Sequence, residues 1–299
     1  MASFQYKKAN STVKKILRNI FAKFGYQISR KTDPLRLAAY EKLFDKATLA
    51  QKPFLNVGAG DFWHPYWTNL DFVSDFYGDV QKEVIHHDLM SLLPLPFESN
   101  SKKICYTSHT IEHIKENAVQ VLFNEMHRVL EKGGIARVVT GPDAETDFRA
   151  LQNNDEDWFY WDHWYEKPGT FEDQYRCPAS SVPLAERWLN HVASPLAKHN
   201  LASSEIKFGE KEILAIIKEH GWPKCLDYFG SLCKFDPQRP GLHISWWTHD
   251  KIMNFLKTAG FKNIYRSGYG QSRTPLLRQS PLFDSVHPQM SIYVEAVKD

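Results

Sequence analysis

Apolar positions along the chain fall into two regimes. Near the start they recur at helical spacing: Val13, Ile16, Leu17, Ile20, Phe21 and Phe24 follow the caps Ser11 or Thr12, while Lys14, Lys15, Arg18 and Lys23 face elsewhere. Gly25 closes the pattern, which reads as a basic amphipathic helix over Thr12–Phe24. A second helix is expected from Asp33-Pro34, an N-cap followed by a proline at a position where its missing N–H is harmless. From Pro53 onward short apolar runs alternate with helical stretches, as in a parallel sheet covered on both faces. Strands are expected at Phe54–Val57, Thr68–Phe72, Val84–His87, Lys103–Thr107 and Ile135–Thr140. A helix over Ala118–Glu131, with Val121, Leu122, Met126, Val129 and Leu130 on one face, is expected to stop at Gly133-Gly134. An αββ unit ends the pattern: helix Asp250–Ala259, strand Phe261–Ser267 and strand Ser291–Val297.

Between Pro142 and Trp246 the alternation breaks, over a stretch too long for an ordinary connection. Helices are expected there near Leu184–Val192 and Lys211–His220. The organisation read from this is an N-terminal helical segment (1–50), an α/β core (51–143), an inserted cap (144–245) and the rest of the core (246–299).

Composition narrows the picture. Cys105, Cys177, Cys225 and Cys233 are scattered with no C-x-x-C pair, so neither a disulfide framework nor a zinc ribbon is encoded. No apolar run reaches the ~20 residues needed to span a bilayer, and no secretory signal is recognisable, so a cytoplasmic location is expected. A net charge of +2 is too small to predict a nucleic-acid partner. The charge is uneven, however: eight Lys or Arg residues and no acid lie between Met1 and Thr32. The basic helix there suits docking onto protein or, alternatively, peripheral contact with an anionic membrane surface.

The chemistry begins at Gly58-Ala59-Gly60, where a strand runs into a turn whose glycines let a bound cofactor approach the backbone. A dinucleotide fingerprint needs a third glycine where Trp63 stands, which disfavours nicotinamide and flavin cofactors. Asp71, closing the next strand, can accept both hydroxyls of a ribose; such charge-assisted bonds contribute ~1.5–3 kcal/mol. Asp88-Leu89, after the third strand, can accept from an adenine amino group and pack on its ring.

The succession NVGAG, NLD, HHDL, LPLPFESNSKKICYTSHTIEHI and LFNEMHRVLEKGGIARVVTGPD resembles the class I S-adenosylmethionine-dependent methyltransferases, over roughly residues 53 to 143 and again at the C-terminal αββ unit. The resemblance implies a Rossmann-like α/β fold whose seven-stranded sheet includes a reversed final strand, Ser291–Val297, with a mostly helical insertion after the fifth strand. It implies S-adenosylmethionine as cofactor, held by Asn56, Gly58, Ala59, Gly60, Asp71, Phe72, Asp88, Leu89 and Ser108. The segments HPYWTNLD, GYGQSR, LLR and FDSVHPQMSIYVEA extend the likeness to a bacterial branch whose members resemble enzymes of surface-polysaccharide or secondary metabolism. Two features depart from the family. Only eleven residues separate Gly60 from Asp71, so the usual intervening helix must shrink to a turn around Trp63-His64-Pro65, and Lys132 replaces the usual proline before the Gly-Gly turn.

His109 is the first candidate for a base that accepts the acceptor's proton, and Asp143 the second. His109-Thr110-Ile111-Glu112-His113 fits H-x-x-E-H, but a zinc site of that kind needs both histidines on one helix, and here a strand feeds the segment directly. No metal is therefore expected. The expected acceptor is a small molecule or glycan: a hydroxyl of a sugar, nucleotide sugar or similar polyol. Trp158, Tyr160, Trp161, Trp164 and Tyr165 would line its site if they do not form the insertion's own core, and Arg273 or Arg278 would meet a phosphate. Other small metabolites, or cofactor binding without turnover, are the alternatives. A nucleic-acid acceptor is disfavoured because Ser108-His109-Thr110 stands where such enzymes carry a Pro-Pro-aromatic motif.

Overall fold

The structure, a computed structural model, describes residues 34–73, 83–165, 174–279 and 282–299. The basic helix expected over Thr12–Phe24 lies outside them. The chain divides into two compact units, Met1–Leu43 and Phe44–Asp299. In the first, helix α1 (Pro34–Leu43) follows the expected proline start.

The second unit opens with a short helix α2 (Lys46–Ala50), capped by Asp45, whose Oδ1 accepts from Thr48 N at 2.8 Å. The sheet strands are β1 (Phe54–Val57), β2 (Trp67–Asp71), β3 (Val84–His86), β4 (Lys102–Ser108), β5 (Leu130–Thr140), β6 (Asn263–Arg266) and β7 (Ile292–Val297). They form one seven-stranded sheet in the order β3-β2-β1-β4-β5-β7-β6. The pairs among β1 to β5 are parallel, while β7 runs antiparallel to both β5 and β6. This is the Rossmann-like class I methyltransferase sheet that the resemblance implies, with the reversed strand slotted between β5 and β6.

β1 is buried at all four positions, as a central strand covered on both faces must be. Helix α3 (Glu116–Val129) packs Ala118, Val119, Leu122, Phe123, Met126 and Val129 into that core. It ends without the expected glycine stop. Leu130 already pairs with Lys102 of β4 and Ile135 with Ile104, so Gly133-Gly134 lies inside β5, at an irregularity of register. Gly133 has φ +80 and donates its N–H to Lys298 O at 2.8 Å, so the glycine serves a bulge beside the end of β7 rather than a helix cap. Helix α8 (His249–Thr258), capped by Thr248, covers the sheet with Ile252 and Leu256.

The insertion builds a core of its own. Helices α4 (Ala144–Gln152), α5 (Leu184–Val192), α6 (Glu210–His220) and α7 (Lys224–Leu232) enclose Phe148, Phe159, Trp188, Leu189, Ile213, Leu226 and Phe229. The sequence pattern located α5 and α6 but not α4 or α7.

A buried ionic cluster ties the loop between β6 and β7 to the sheet. Arg137 on β5 donates to Asp284 from Nε (3.1 Å) and Nη2, to Glu295 (3.0 Å) and Ser267 Oγ (3.0 Å) from Nη1, and to Gly268 O (2.9 Å) from Nη2. Tyr265 and the Arg273 backbone N–H complete Glu295, and Tyr106 bonds Asp284. These bonds set where His287 and Ser291 stand.

Candidate active site

In a doubly wound sheet, ligands lie outside the carboxyl ends of the strands where the order reverses, here between β1 and β4. Gly58 and Gly60 follow β1 with φ +69 and +54, the left-handed region that favours glycine. Their surroundings differ. A Cβ on Gly58 would meet Thr110 Oγ1 at 2.0 Å, so Gly58 is needed to let the loop after β4 close against the turn. A Cβ on Gly60 would meet nothing within 4 Å, which leaves open space beside the turn for a ligand. Between the turn and β2 the chain forms turns and no helix, as the short glycine-to-acid interval requires.

The Asp71 carboxylate locks that turn to the end of β2. Its Oδ2 accepts from Gly60 N at 2.6 Å and its Oδ1 from Phe72 N at 2.7 Å. Burial raises its pKa above the usual carboxylate value, opposed by these two N–H donors. A doubly bonded carboxylate keeps lone pairs for ribose hydroxyls, so the lock and the expected role are compatible. Asp88 caps the short 3-10 turn Leu89–Ser91, accepting from Met90 N at 2.8 Å, and Leu89 packs on the main core. Asn56 is buried within β1, in register with Asn69 and Tyr106. Ser108 ends β4 opposite Val139. Gly58, Ala59, Gly60, Asp71, Phe72, Asp88, Leu89 and Ser108 therefore share the carboxyl edge, with Asn56 one residue further inside. Phe72 also meets Phe235 from the insertion, with ring centroids 6.2 Å apart.

His109 follows β4 in the left-handed region at φ +50, a conformation that costs energy and is concentrated at functional sites. Its Nδ1 lies 3.0 Å from Glu112 Oε1, and its Nε2 lies 3.0 Å from Ser291 Oγ and 3.1 Å from Val286 O. Glu112 is almost wholly buried, and its Oε2 accepts from Thr140 Oγ1 at 2.8 Å. Burial alone would raise the Glu112 pKa; the close approach of His109 and the nearby His113 and His243 outweigh it and hold it at about 2. His113 and His243 stack at 5.0 Å between centroids. Burial pushes both below the usual histidine value, His243 to about 3, with Glu112 opposing. His287, 6.3 Å from His109 between ring centroids, is lowered to about 4 by burial and by His109 and His191.

Asp143 has a structural occupation. Its Oδ1 accepts from Glu145 N at 3.2 Å and its Oδ2 from Thr146 Oγ1 at 2.9 Å, so it is the N-cap of α4. Of the aromatic run, Phe159 is fully buried and Trp158 gives its indole N–H to Asp147 at 2.6 Å, so these two serve the insertion itself. Tyr160 is half-buried, with its hydroxyl 3.2 Å from Gln289 Oε1 before β7. The side chains of Trp161, Trp164 and Tyr165 lie outside what the structure describes. Arg278 bonds Ser272 O and Arg273 O, bracing the loop's backbone.

The H-x-x-E-H segment forms only a three-residue 3-10 turn, Ile111–His113, so its histidines do not share a helix face. Sequence reasoning had no means of finding His243 beside His113, the His287–Ser291 loop beside His109, or Phe235 beside Phe72. No spacing rule joins residues so far apart in the chain.

A methyltransferase-domain family profile matches residues 66–138. No curated protein matches the chain. Among solved structures it is similar to an S-adenosylmethionine-dependent methyltransferase from Mesorhizobium loti, with 16% identity, 88% of this chain and 96% of that one covered, and a TM-score of 0.37. It is also similar to one from Archaeoglobus fulgidus, with 9% identity, 88% and 94% covered, and a TM-score of 0.37.

Proposed function

We propose that this S-adenosylmethionine-dependent methyltransferase, so identified by its matched domain together with its sheet order and glycine turn, methylates a hydroxyl of a sugar, nucleotide sugar or similar polyol. The observation that carries the reading is the His109–Glu112 pair at the carboxyl end of β4, which brackets Thr110, the residue that abuts the glycine turn. An alcohol oxygen is a poor nucleophile until its proton leaves, whereas an amine needs no such help. Glu112 orients Nδ1, and Nε2 already holds a hydroxyl oxygen, Ser291 Oγ, at 3.0 Å. S-adenosylmethionine bound there would give its methyl group to the acceptor oxygen, its sulfonium leaving as the neutral thioether. The acceptor's proton passes to His109 Nε2 once that nitrogen is released from the Val286 carbonyl, which only accepts and lies 3.1 Å away.

S-adenosylmethionine supplies the activated methyl group. Gly60 leaves space beside the turn, and Asp71 presents acceptor lone pairs beside it. Much of the rate then comes from holding donor carbon and acceptor oxygen in line and away from water. The Tyr160–Gln289 contact between the insertion and the loop before β7 offers the hydroxyl, amide and ring face that a sugar recognises. The same chemistry would suit an acceptor taken from the cytoplasm. Among the described residues no helix is long and apolar enough to cross a membrane. The basic segment Met1–Thr32 stays a candidate for peripheral contact with anionic lipid.

The test is a product screen by mass spectrometry, supplying the cofactor with nucleotide sugars, free glycans, phenols and carboxylic acids. A gain of one methyl ether on a sugar hydroxyl, with S-adenosylhomocysteine formed in equal amount, is expected. Methylation confined to phenols or carboxylates overturns the sugar assignment.

A further inference from the structure

We propose that Glu112, His113 and His243 form a binding site for one divalent transition-metal ion of the zinc class, with a coordination position left for water or an acceptor oxygen. One ligand atom from each of the three lies within 4.8 Å of the others. The H-x-x-E-H reading led to no expected metal because its two histidines do not share a helix. The site proposed here uses only the last two residues of that segment and takes its third ligand from the end of the insertion.

Hydrogen bonds select which atoms are available. His113 Nδ1 faces Leu242 O at 3.2 Å, and His243 Nδ1 faces His191 O at 2.5 Å. A carbonyl can only accept, so both rings carry their proton on Nδ1, and Nε2 is the lone-pair atom each can offer. A carboxylate also only accepts. Three lone-pair atoms thus converge on one place, Glu112 buried and the two histidines half-buried, an arrangement that a cation relieves. The outer contacts have the form found around metal ligands: a carbonyl behind each imidazole, and the Thr140 hydroxyl on Glu112 Oε2.

The two halves of the site are fastened to each other. Ile244 N and Ser245 N donate to Glu112 O at 2.8 and 3.2 Å, and Ser245 Oγ donates to Ile111 O at 2.8 Å. Two imidazoles and a carboxylate suit zinc, cobalt, nickel or iron(II) better than calcium or magnesium, and three protein ligands are the number that leaves a position open. A tetrahedral ion with bonds of about 2.0–2.2 Å sets its ligand atoms about 3.3–3.6 Å apart, so side chains whose ligand atoms now lie within 4.8 Å of one another would draw together by up to about 1 Å on binding.

The inference does not depend on the acceptor's identity, and its test reads the metal rather than methylation. Full-length protein, stripped with a chelator, is titrated with cobalt chloride and followed by visible absorption and calorimetry. Zinc chloride is then added in competition. One cobalt per chain is expected, with d–d bands that zinc abolishes. His243→Ala and His113→Gln should each weaken binding at least about tenfold, while His220→Gln, outside the cluster, leaves it unchanged. Should the ligand variants fail to fold, X-ray absorption of the unsubstituted zinc protein decides: two imidazoles in the first shell are expected. No cobalt binding, binding indifferent to both ligand variants, or a first shell without imidazole overturns the site.

Discussion

Two buried polar clusters flank β5, and they differ in how completely their hydrogen bonds are filled. Around Arg137 all five guanidinium donors have acceptors, and the two carboxylates facing it are met by Tyr106, Tyr265 and the Arg273 backbone as well. Around Glu112 the acceptors outnumber the donors. One carboxylate meets His109 and Thr140, and beside it stand two imidazoles whose Nδ1 atoms are turned away to carbonyls. A filled network holds one geometry and has nothing left to offer a ligand. An under-filled one costs stability and keeps valence for a proton, a metal or a substrate oxygen. The difference suits the first cluster to clamping the β6–β7 loop and the second to the working role proposed for it.

The comparison breaks most visibly at Arg137. Arg137→Met would strand Asp284 and Glu295 as buried, uncompensated carboxylates, and a loss on the order of 3–5 kcal/mol is expected in urea unfolding. Arg137→Lys should recover little of it, because an ammonium cannot fill a planar five-donor fork. If Arg137→Met unfolds at the same urea concentration as the unsubstituted protein, the clamp reading fails.

His109→Asn probes the other cluster. Asparagine tolerates the left-handed backbone at φ +50, so stability should change by less than about 1 kcal/mol. Turnover should fall about 10²-fold or more, with affinity for S-adenosylhomocysteine within about threefold. Parallel loss of turnover and cofactor affinity would instead make His109 part of the cofactor site.

The smallest expected effect is in pH. Burial in the fold lowers the His287 pKa from the ordinary histidine value of 6.5 to about 4. The unfolded chain therefore binds a proton first as pH falls, and the native state loses stability from about pH 6.5 downward until His287 itself titrates near 4. The loss is no more than about 3 kcal/mol. His287→Asn should flatten the melting-temperature profile between pH 6.5 and 4 without altering it at pH 8. A profile that keeps its slope would remove His287 from the acid-sensitive set.

Much of the core was legible along the chain. Short apolar runs and helical patterns located every strand of the sheet to within a few residues, because a central parallel strand must be apolar on both faces and cannot be mistaken for a surface element. Failures came where local signals competed. Gly133-Gly134 has the look of a helix stop, yet pairing of Leu130 with β4 ended the helix earlier and put the glycines to use in a bulge. Asp143, the second base candidate, also caps α4, accepting from Glu145 N and the Thr146 hydroxyl, a use that its place before the insertion did not announce.

The sequence by itself determined the glycine turn, the acid eleven residues beyond it and the reversed final strand, because each is a local requirement of backbone conformation or burial. Tertiary structure alone decided which distant side chains share the strand ends. His243 reaches Glu112 only because the insertion folds on its own core and returns through Ile244 and Ser245 to the turn after β4. Ser291 meets His109 at the end of a loop that the Arg137 cluster holds to the sheet. Contacts between residues more than a hundred positions apart are set by packing and by the filling of buried hydrogen bonds, and neither leaves a periodic trace in the chain.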